Sequence, residues 1–359
     1  MRRRTALLCA CALALLAAQH AGAANRPARK AAVKAPVVAV IDTGVRSSHV
    51  EFDYRGPRST VDQFVAWWDF TAEAKGKVVL PAAGQTWDTQ VKDPYDRNGH
   101  GTITASMVGG RTASPLKTPA AYPGAKLAIA KVGEKDGTIS GSMAAAVTWA
   151  DTTVHADVIS LSIGSIAPIP ADVYRDVYDA IHTARRHGIL VTVANGNGFA
   201  NAGVPGDPGW ANFASSSTDV LAVGAAGIDG YLVSTDPEVT AVFTVTGPSF
   251  KEDRSYVTES GTSFATPYVA GFAAALVKAG REGGHPLAVD RLEQLLKYAA
   301  TDTSMQPQFE GYGELSAKEL PGAVAHARAG TLPTRPSPDL NALYVEDVAG
   351  TLRDAWTAA

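Results

Sequence analysis

Residues 259–271 read ESGTSFATPYVAG and lead into a long uncharged stretch. After Ser263 the residues are small or apolar as far as Val277, and a Lys-Ala-Gly sequence then ends the run at Gly280. This pattern predicts a buried helix of about four turns with Gly280 as its stop. Ser263 lies at its amino-terminal end, where free N–H groups and the helix dipole favour negative charge. A serine there is either a plain helix cap or a nucleophile whose oxyanion meets N–H donors.

The composition is that of a globular protein with an ample core. The chain has 359 residues, of which 46% are hydrophobic and 19% charged, enough for one large or two ordinary domains. The formal net charge is −3, and no block of one sign stands out. Nucleic acid and anionic membrane surfaces are therefore not expected as partners.

The first 23 residues have the pattern of a secretory signal peptide. Three arginines at positions 2–4 precede an apolar run at residues 6–18, and AGA at 21–23 is a small-x-small cleavage site. We therefore expect a secreted protein without a membrane anchor; the alternative, a retained anchor, needs a longer apolar run. Cys9 and Cys11 both lie in this segment, so the mature chain has no disulfide and no thiol nucleophile.

The remainder alternates between strand and helix patterns. Residues 37–41 (VVAVI) form an apolar, β-branched run typical of a parallel strand buried on both faces. Further strands are predicted at 65–70, 126–132, 158–163, 189–194 and 220–225, and helices at 103–108, 140–150 and 172–187. The predicted fold is a three-layer α/β/α arrangement with a mostly parallel central sheet.

Two further polar residues lie at the ends of predicted elements. Asp42 comes directly after the first strand, where open α/β sheets place their sites, although a turn-forming aspartate beside a glycine is equally common. His100 is flanked by glycines that allow backbone or substrate to approach closely, whereas a lone histidine is more often structural. In isolation neither residue decides the chemistry.

Together, the three residues occur in the order Asp, His, Ser, the order of the subtilisin catalytic triad. DTGV at 42–45, NGHGT at 98–102 and GTSFATP at 261–267 are similar to the three motifs of the subtilisin-like serine peptidases. GYGELSA at 311–317 resembles the closing segment of that family. The resemblance covers about residues 35–324 and implies the subtilisin-like version of the α/β/α fold.

The resemblance also implies roles for individual residues. Ser263 would attack the scissile carbonyl, His100 would carry the proton and Asp42 would hold the imidazole. The oxyanion hole would combine the Ser263 N–H with Asn197, and Asn195 is the less favoured candidate for that amide. Two substrate-gripping segments and part of the S1 wall would be formed by Gly137, Thr138, Ile139, Ser162, Ile163, Gly164 and Gly196.

Some positions depart from the family pattern. Ile103, Ser106 and Phe264 are packing changes, whereas Asn195 beside the S1 pocket leaves the substrate preference open. Glu51 matches a position that can bind calcium in the family, but the loop at 111–122 lacks the asparagine-rich stretch that would complete the site. A structural calcium ion is thus a candidate at Glu51, with a solvated carboxylate as the alternative. No cofactor is expected for the chemistry itself.

The ends of the chain carry further expectations. Residues 24–34 are a short lead, and only 18 residues separate Ala23 from Asp42, fewer than the inhibitory pro-region of many secreted relatives needs. The peptidase domain would therefore fold unaided or with help from another segment. Residues 325–359 are predicted to be an appendage with a Pro-rich linker at 331–338 and a last helix at 340–356.

The leading hypothesis is a secreted, monomeric serine endopeptidase that acts on peptide or protein substrates through an acyl-enzyme intermediate. A dedicated processing protease for one partner is the first alternative, favoured by the long segment 51–98 and the short lead. An inactive binding module on the same fold is the second, and the complete triad argues against it.

Overall fold

A sheet of seven parallel strands is the centre of the computed structural model, which describes residues 33–53, 63–71, 94–163, 171–197, 217–226, 237–303 and 310–334. In chain order the strands are β1 (Val37–Asp42), β2 (Phe64–Asp69), β3 (Lys126–Lys131), β4 (Val158–Leu161), β5 (Leu190–Ala194), β6 (Leu221–Ala226) and β7 (Val239–Val242). Across the sheet the order is β2-β3-β1-β4-β5-β6-β7. β1 therefore lies between β3 and β4, near the middle of the sheet.

The burial of β1 explains its continuous apolar sequence pattern. All six residues of β1 are buried. Val38 and Val40 join one hydrophobic core, whereas Val37, Ala39 and Ile41 join the core on the opposite face. Successive side chains of a strand point to opposite faces, so a strand covered on both sides needs an unbroken apolar run.

Helices cover both faces of the sheet. On one face lie α1 (His100–Gly109), α4 (Thr262–Gly283), α5 (Val289–Ala299) and α6 (Leu320–Ala329). On the other face lie α2 (Met143–Trp149), continued by a π-helical turn at Ala150–Val154, and α3 (Ala171–Arg186). The predicted three-layer α/β/α fold is confirmed.

The helix that begins at Thr262 is longer than predicted. It runs for 22 residues to Gly283 and is capped by Gly284, which has a left-handed conformation with φ of 80°, so Gly280 is not its stop. A Cβ at Gly280 would lie 2.6 Å from the carbonyl oxygen of His285, so the glycine permits a close backbone approach instead. Ion pairs of Lys278 with Glu282 and of Arg281 with Asp157 support the last turn.

Several elements were not predicted. These are β7, helix α5, and an antiparallel hairpin of β8 (Thr244–Pro248) and β9 (Tyr256–Ser260). The hairpin matters for function because β9 leads directly into α4 and therefore sets where Ser263 lies. The strand predicted at 158–163 is also shorter than expected, since it ends at Leu161.

Some expectations lie outside the described residues. They are the signal peptide, most of the lead, Gly164, the second half of the Pro-rich linker and the last helix. Helix α6 continues through residue 324, the predicted end of the peptidase domain, as far as Ala329. Within the described ranges, no helix combines the length and the apolarity that a bilayer crossing requires.

Candidate active site

Asp42 ends β1 with a completely buried side chain that is well supplied with hydrogen-bond donors. Its Oδ1 accepts the Thr43 N–H at 2.7 Å, and its Oδ2 accepts the Thr104 hydroxyl at 3.2 Å. His100 Nδ1 lies 2.8 Å from Oδ1 and 3.1 Å from Oδ2. A buried carboxylate requires such partners, and together they hold Asp42 in one orientation.

His100 is the first residue of α1, and its flanking glycines allow the backbone to pack around it. Gly99 has a φ of 112°, in the left-handed region that disfavours other residues. A Cβ at Gly101 would lie 2.2 Å from the Gly44 carbonyl oxygen, so the start of α1 packs directly on the turn after Asp42. The predicted close approach at these glycines is thereby explained.

The contact with Asp42 determines the tautomer of His100. Since Nδ1 faces a carboxylate, it carries the proton, and Nε2 of the neutral ring is then free to accept one. The His100 side chain is 28% exposed, and the Phe264 ring packs beside it with centroids 5.3 Å apart. The arrangement suits a general base, because Asp42 orients the ring through Nδ1 and part of the ring stays exposed.

Burial by itself lowers the pKa of His100, but the net pKa lies above the ordinary value of 6.5. The charge of Asp42 and its hydrogen bond to the ring are the largest opposing effects, followed by the charges of Asp96 and Glu259. All three carboxylates favour the protonated imidazolium. The surroundings therefore stabilise the charge that the ring acquires when it accepts a proton.

Ser263 is the second residue of α4, at the amino-terminal end of the helix, as the sequence pattern predicted. Its hydroxyl donates to the Ser162 carbonyl oxygen at 3.3 Å. Because Phe264 contacts the His100 ring, the start of α4 lies against the Asp42–His100 pair. The three predicted catalytic residues therefore converge on one edge of the sheet, at the carboxyl ends of its strands.

Asn197 lies beside the start of the same helix. Its Oδ1 accepts both the backbone N–H of Thr262, at 3.0 Å, and the Thr262 hydroxyl, at 3.1 Å. Since the N–H can only donate, the amide oxygen must face Thr262, and the NH₂ group is directed elsewhere as a donor. Asn195, in contrast, is buried at the end of β5, where its N–H donates to the Val223 carbonyl.

The predicted substrate-binding residues lie at the same edge. Ser162 and Ile163 follow β4 and are buried, and Gly196, with a φ of 106°, lies between the two asparagines. The other segment is a turn rather than a strand, apart from one bridge between Gly133 and Ile139, and comprises Gly137, Thr138 and Ile139. Its Thr138 N–H donates to Asp136 Oδ1 at 3.0 Å, and its Thr138 carbonyl accepts the Glu134 N–H at 2.8 Å.

A cavity of about 290 Å³ opens beside His100 and was not predicted. It lies between the start of α1 and the β8–β9 hairpin, and its lining includes Phe250, Lys251, Val257, Glu259 and Phe264. The hairpin was not predicted from the sequence, and the residues that line this side of the site were therefore not predicted either. The only available signal was the nearness of residues 248–259 to Ser263 along the chain.

Glu51, the candidate calcium ligand, is completely buried, so the alternative of a solvated carboxylate is wrong. Its Oε1 accepts the Ala113 N–H at 3.1 Å and the Tyr256 hydroxyl at 2.7 Å. The ammonium of Lys117, also completely buried, lies 3.7 Å from Oε2. Calcium requires six to eight oxygen ligands, whereas this carboxylate already faces a cation of the chain itself, so the residues present do not fit the ion.

No cluster of three or more His, Cys, Asp or Glu side chains suited to a metal occurs within the described ranges.

Burial lowers the pKa of Lys117, and the neighbouring Glu51 carboxylate opposes that shift. The two charges therefore depend on each other for compensation inside the fold.

Replacing Lys117 with Met is expected to lower the free energy of unfolding by about 3–5 kcal/mol, because the Glu51 carboxylate is left buried without a counter-charge. Urea denaturation measures the change. The double variant Glu51→Gln/Lys117→Met removes both charges and should recover most of the loss. A single variant as stable as the unaltered chain would show that the pair carries no such mutual dependence.

Comparison with known proteins matches residues 33–313 to the model of the subtilase family. The chain is 30% identical to Subtilisin BL of Lederbergia lenta over 72% of its own length and 81% of that protein. It is 27% identical to Serine protease AprX of Bacillus subtilis (strain 168) over 82% of this chain and 74% of that protein. It is 29% identical to Thermophilic serine proteinase of Bacillus sp. (strain AK1) over 68% of this chain, but spans only 52% of that relative.

Proposed function

Because the chain belongs to the subtilase family of serine-type peptidases, we propose that it is an exported serine endopeptidase that uses Asp42, His100 and Ser263. The observation that carries the proposal is the contact of His100 Nδ1 with the buried Asp42 carboxylate at 2.8 Å. This contact leaves Nε2 to act as the base, beside a serine at a helix start. The proposal of export rests on the signal pattern of residues 1–23.

The reaction begins when the Ser263 hydroxyl leaves the Ser162 carbonyl and turns toward His100. Oγ attacks the carbonyl carbon of the scissile peptide bond while its proton passes to His100 Nε2. The carbonyl oxygen becomes an oxyanion, which the Ser263 N–H and the Asn197 NH₂ group stabilise. Thr262 holds the amide oxygen of Asn197, so the NH₂ group is oriented before the substrate arrives.

Collapse of the tetrahedral intermediate breaks the C–N bond. His100 returns its proton to the departing amine, which leaves an ester between Ser263 and the acyl half of the substrate. A water molecule then gives a proton to His100 and attacks the ester, and the second collapse restores the Ser263 hydroxyl. Throughout, Asp42 stabilises the imidazolium and keeps the proton on Nδ1.

The pH dependence of the reaction follows from the raised pKa of His100. Only the neutral ring can accept the Ser263 proton, so protonation of the free enzyme abolishes activity. We expect kcat/KM to rise with pH and to reach half of its plateau above pH 6.5, the ordinary pKa of histidine. Initial rates on a peptide p-nitroanilide between pH 5 and pH 9 measure this, and a midpoint below 6.5 would contradict the proposed environment of His100.

The function itself is tested by hydrolysis of unfolded casein by the purified chain, with the Ser263→Ala variant as the blank. The proposal predicts new peptide termini that depend on Ser263. Release of peptides at the same rate by both proteins would assign the activity to a contaminant and overturn it.

A further inference from the structure

Resting on the proposed function, we propose that Asp96 is a positioning residue that fixes His100 and Asp42 relative to each other. Asp96 does not belong to the triad, and its side chain is largely buried. It lies in the segment just before α1, and it forms an isolated antiparallel bridge with Gly44, two residues after Asp42. It is therefore placed between the two elements that the catalytic pair connects.

On one side, Asp96 binds the start of α1. Its Oδ1 accepts the N–H groups of Asn98 and Gly99 at 2.9 and 3.0 Å. Its Oδ2 accepts the N–H of Thr102 at 2.9 Å and the Thr102 hydroxyl at 2.6 Å. These N–H groups have no partner within the helix, and a negative charge is favourable at this end of the helix dipole. Asp96 thereby holds the backbone that carries His100.

On the other side, Asp96 binds the turn that follows Asp42. The Thr43 hydroxyl donates to Asp96 Oδ1 at 3.1 Å and at the same time accepts the Gly101 N–H at 2.8 Å. Thr102 makes a second link, because its hydroxyl accepts the Arg46 N–H at 3.0 Å. The Asp96 carboxylate thus connects the start of α1, which carries His100, to the turn that follows Asp42. One connection runs through Thr43 and the other through Thr102.

Chemistry explains why this position needs an aspartate. All five groups that contact the carboxylate donate hydrogen bonds to it, so both oxygens must accept. An asparagine of the same shape would place an NH₂ group against two or three of these donors. The loss would loosen the start of α1 relative to β1, while His100, Asp42 and Ser263 remain chemically unchanged.

Asp96 also acts on His100 through its charge. The charged groups around the ring are Asp42 from β1, Asp96 from the segment before α1 and Glu259 from β9, with Lys251 in the lining of the adjacent cavity. The three carboxylates raise the pKa of His100 against the opposing effect of burial. Removal of the Asp96 charge therefore lowers that pKa, which a purely structural defect elsewhere would not do.

The test compares the full-length chain with Asp96→Asn and with Asp157→Asn as a matched control. Asp157 is another largely buried carboxylate that accepts a backbone N–H, from Val37, and it lies at the opposite end of β1. Active sites are titrated with a serine-directed phosphonate so that kcat refers to folded enzyme. We expect Asp96→Asn to lower kcat by about 10- to 100-fold with little change in KM, the effect of misplacing a catalytic group. The pH midpoint of kcat/KM should also move down.

Asp157→Asn should lose stability but keep both kcat per titrated site and the pH midpoint. The same result for Asp96→Asn would overturn the proposal. If Asp96→Asn does not fold, Thr43→Val decides, because it removes the link to Gly101 and leaves Asp96 in place: an unchanged kcat for this variant would overturn the proposal.

NMR titration of the His100 ring separates this inference from the proposed function, because it requires no activity. Performed in the Ser263→Ala background, it should give a lower His100 pKa when Asp96 is Asn, because the carboxylate charge is lost. If that variant does not fold, Thr43→Val should lower the pKa as well, because a loosened α1 weakens the contact of His100 with Asp42 that raises it. An unchanged pKa would overturn the inference even for an active enzyme. A lowered pKa in a chain without peptidase activity would refute the function and leave the positioning role intact.

Discussion

Replacing Ser263 with Ala is expected to lower kcat for peptide hydrolysis by about 10⁶-fold, because no other group can form the ester intermediate. The residual rate should still exceed that of the reaction in water by about 10³- to 10⁴-fold, since the oxyanion donors and the bound geometry remain. The folded state should be little affected, because the hydrogen bond of the hydroxyl to the Ser162 carbonyl oxygen is long, at 3.3 Å.

A peptide p-nitroanilide assay measures the loss, and thermal unfolding measures the stability. Ser48→Ala is a suitable control, since this serine is exposed and bonds to Asp253 rather than to the active site. It should retain the activity of the unaltered chain. A Ser263→Ala variant that retained more than a hundredth of the activity would contradict the acyl-enzyme mechanism.

The second largest effect is expected for Asp42→Asn, which should lower kcat by about 10⁴-fold. An amide in this position can donate to His100 Nδ1, which drives the ring proton to Nε2. The ring then faces Ser263 with an N–H group and cannot accept the serine proton. The side chain keeps its shape, so the cause would be the wrong tautomer rather than a missing contact.

Loss of the Asp42 charge should also lower the pKa of His100, since Asp42 makes the largest contribution that raises it. The residual activity of Asp42→Asn should therefore have its midpoint at a lower pH than that of the unaltered chain. A loss of less than tenfold at neutral pH, with an unshifted midpoint, would show that Asp42 does not orient the base.

The parts of the fold that the sequence predicted share one physical property. β1 is buried on both faces, and its continuous apolar run is therefore visible without knowledge of its neighbours. The hairpin before α4 has no such signal, because four of the five residues of β9 are exposed and the strand has no buried apolar face. Its position depends on pairing with β8, which a local pattern does not report.

The residues of the candidate site also divide into those that a local motif predicts and those whose contacts form only in the fold. The positions of Asp42, His100 and Ser263 could be predicted because each ends or begins a regular element and carries a local motif. The partnership of Lys117 with Glu51 could not, because it joins two loops that come together only in the fold. The role of Asp96 was also hidden, since its five donors come from four residues on both sides of the catalytic pair.

The most direct test of the central claim is labelling by a serine-directed phosphonate, followed by mass-spectrometric mapping of the adduct. The phosphonate reacts only with an activated serine, so it reports the combined action of His100 and the oxyanion donors. We predict one adduct per chain, on Ser263, and no labelling of the Ser263→Ala variant. An adduct on another serine, or equal labelling of both proteins, would contradict the assignment of Ser263 as the nucleophile.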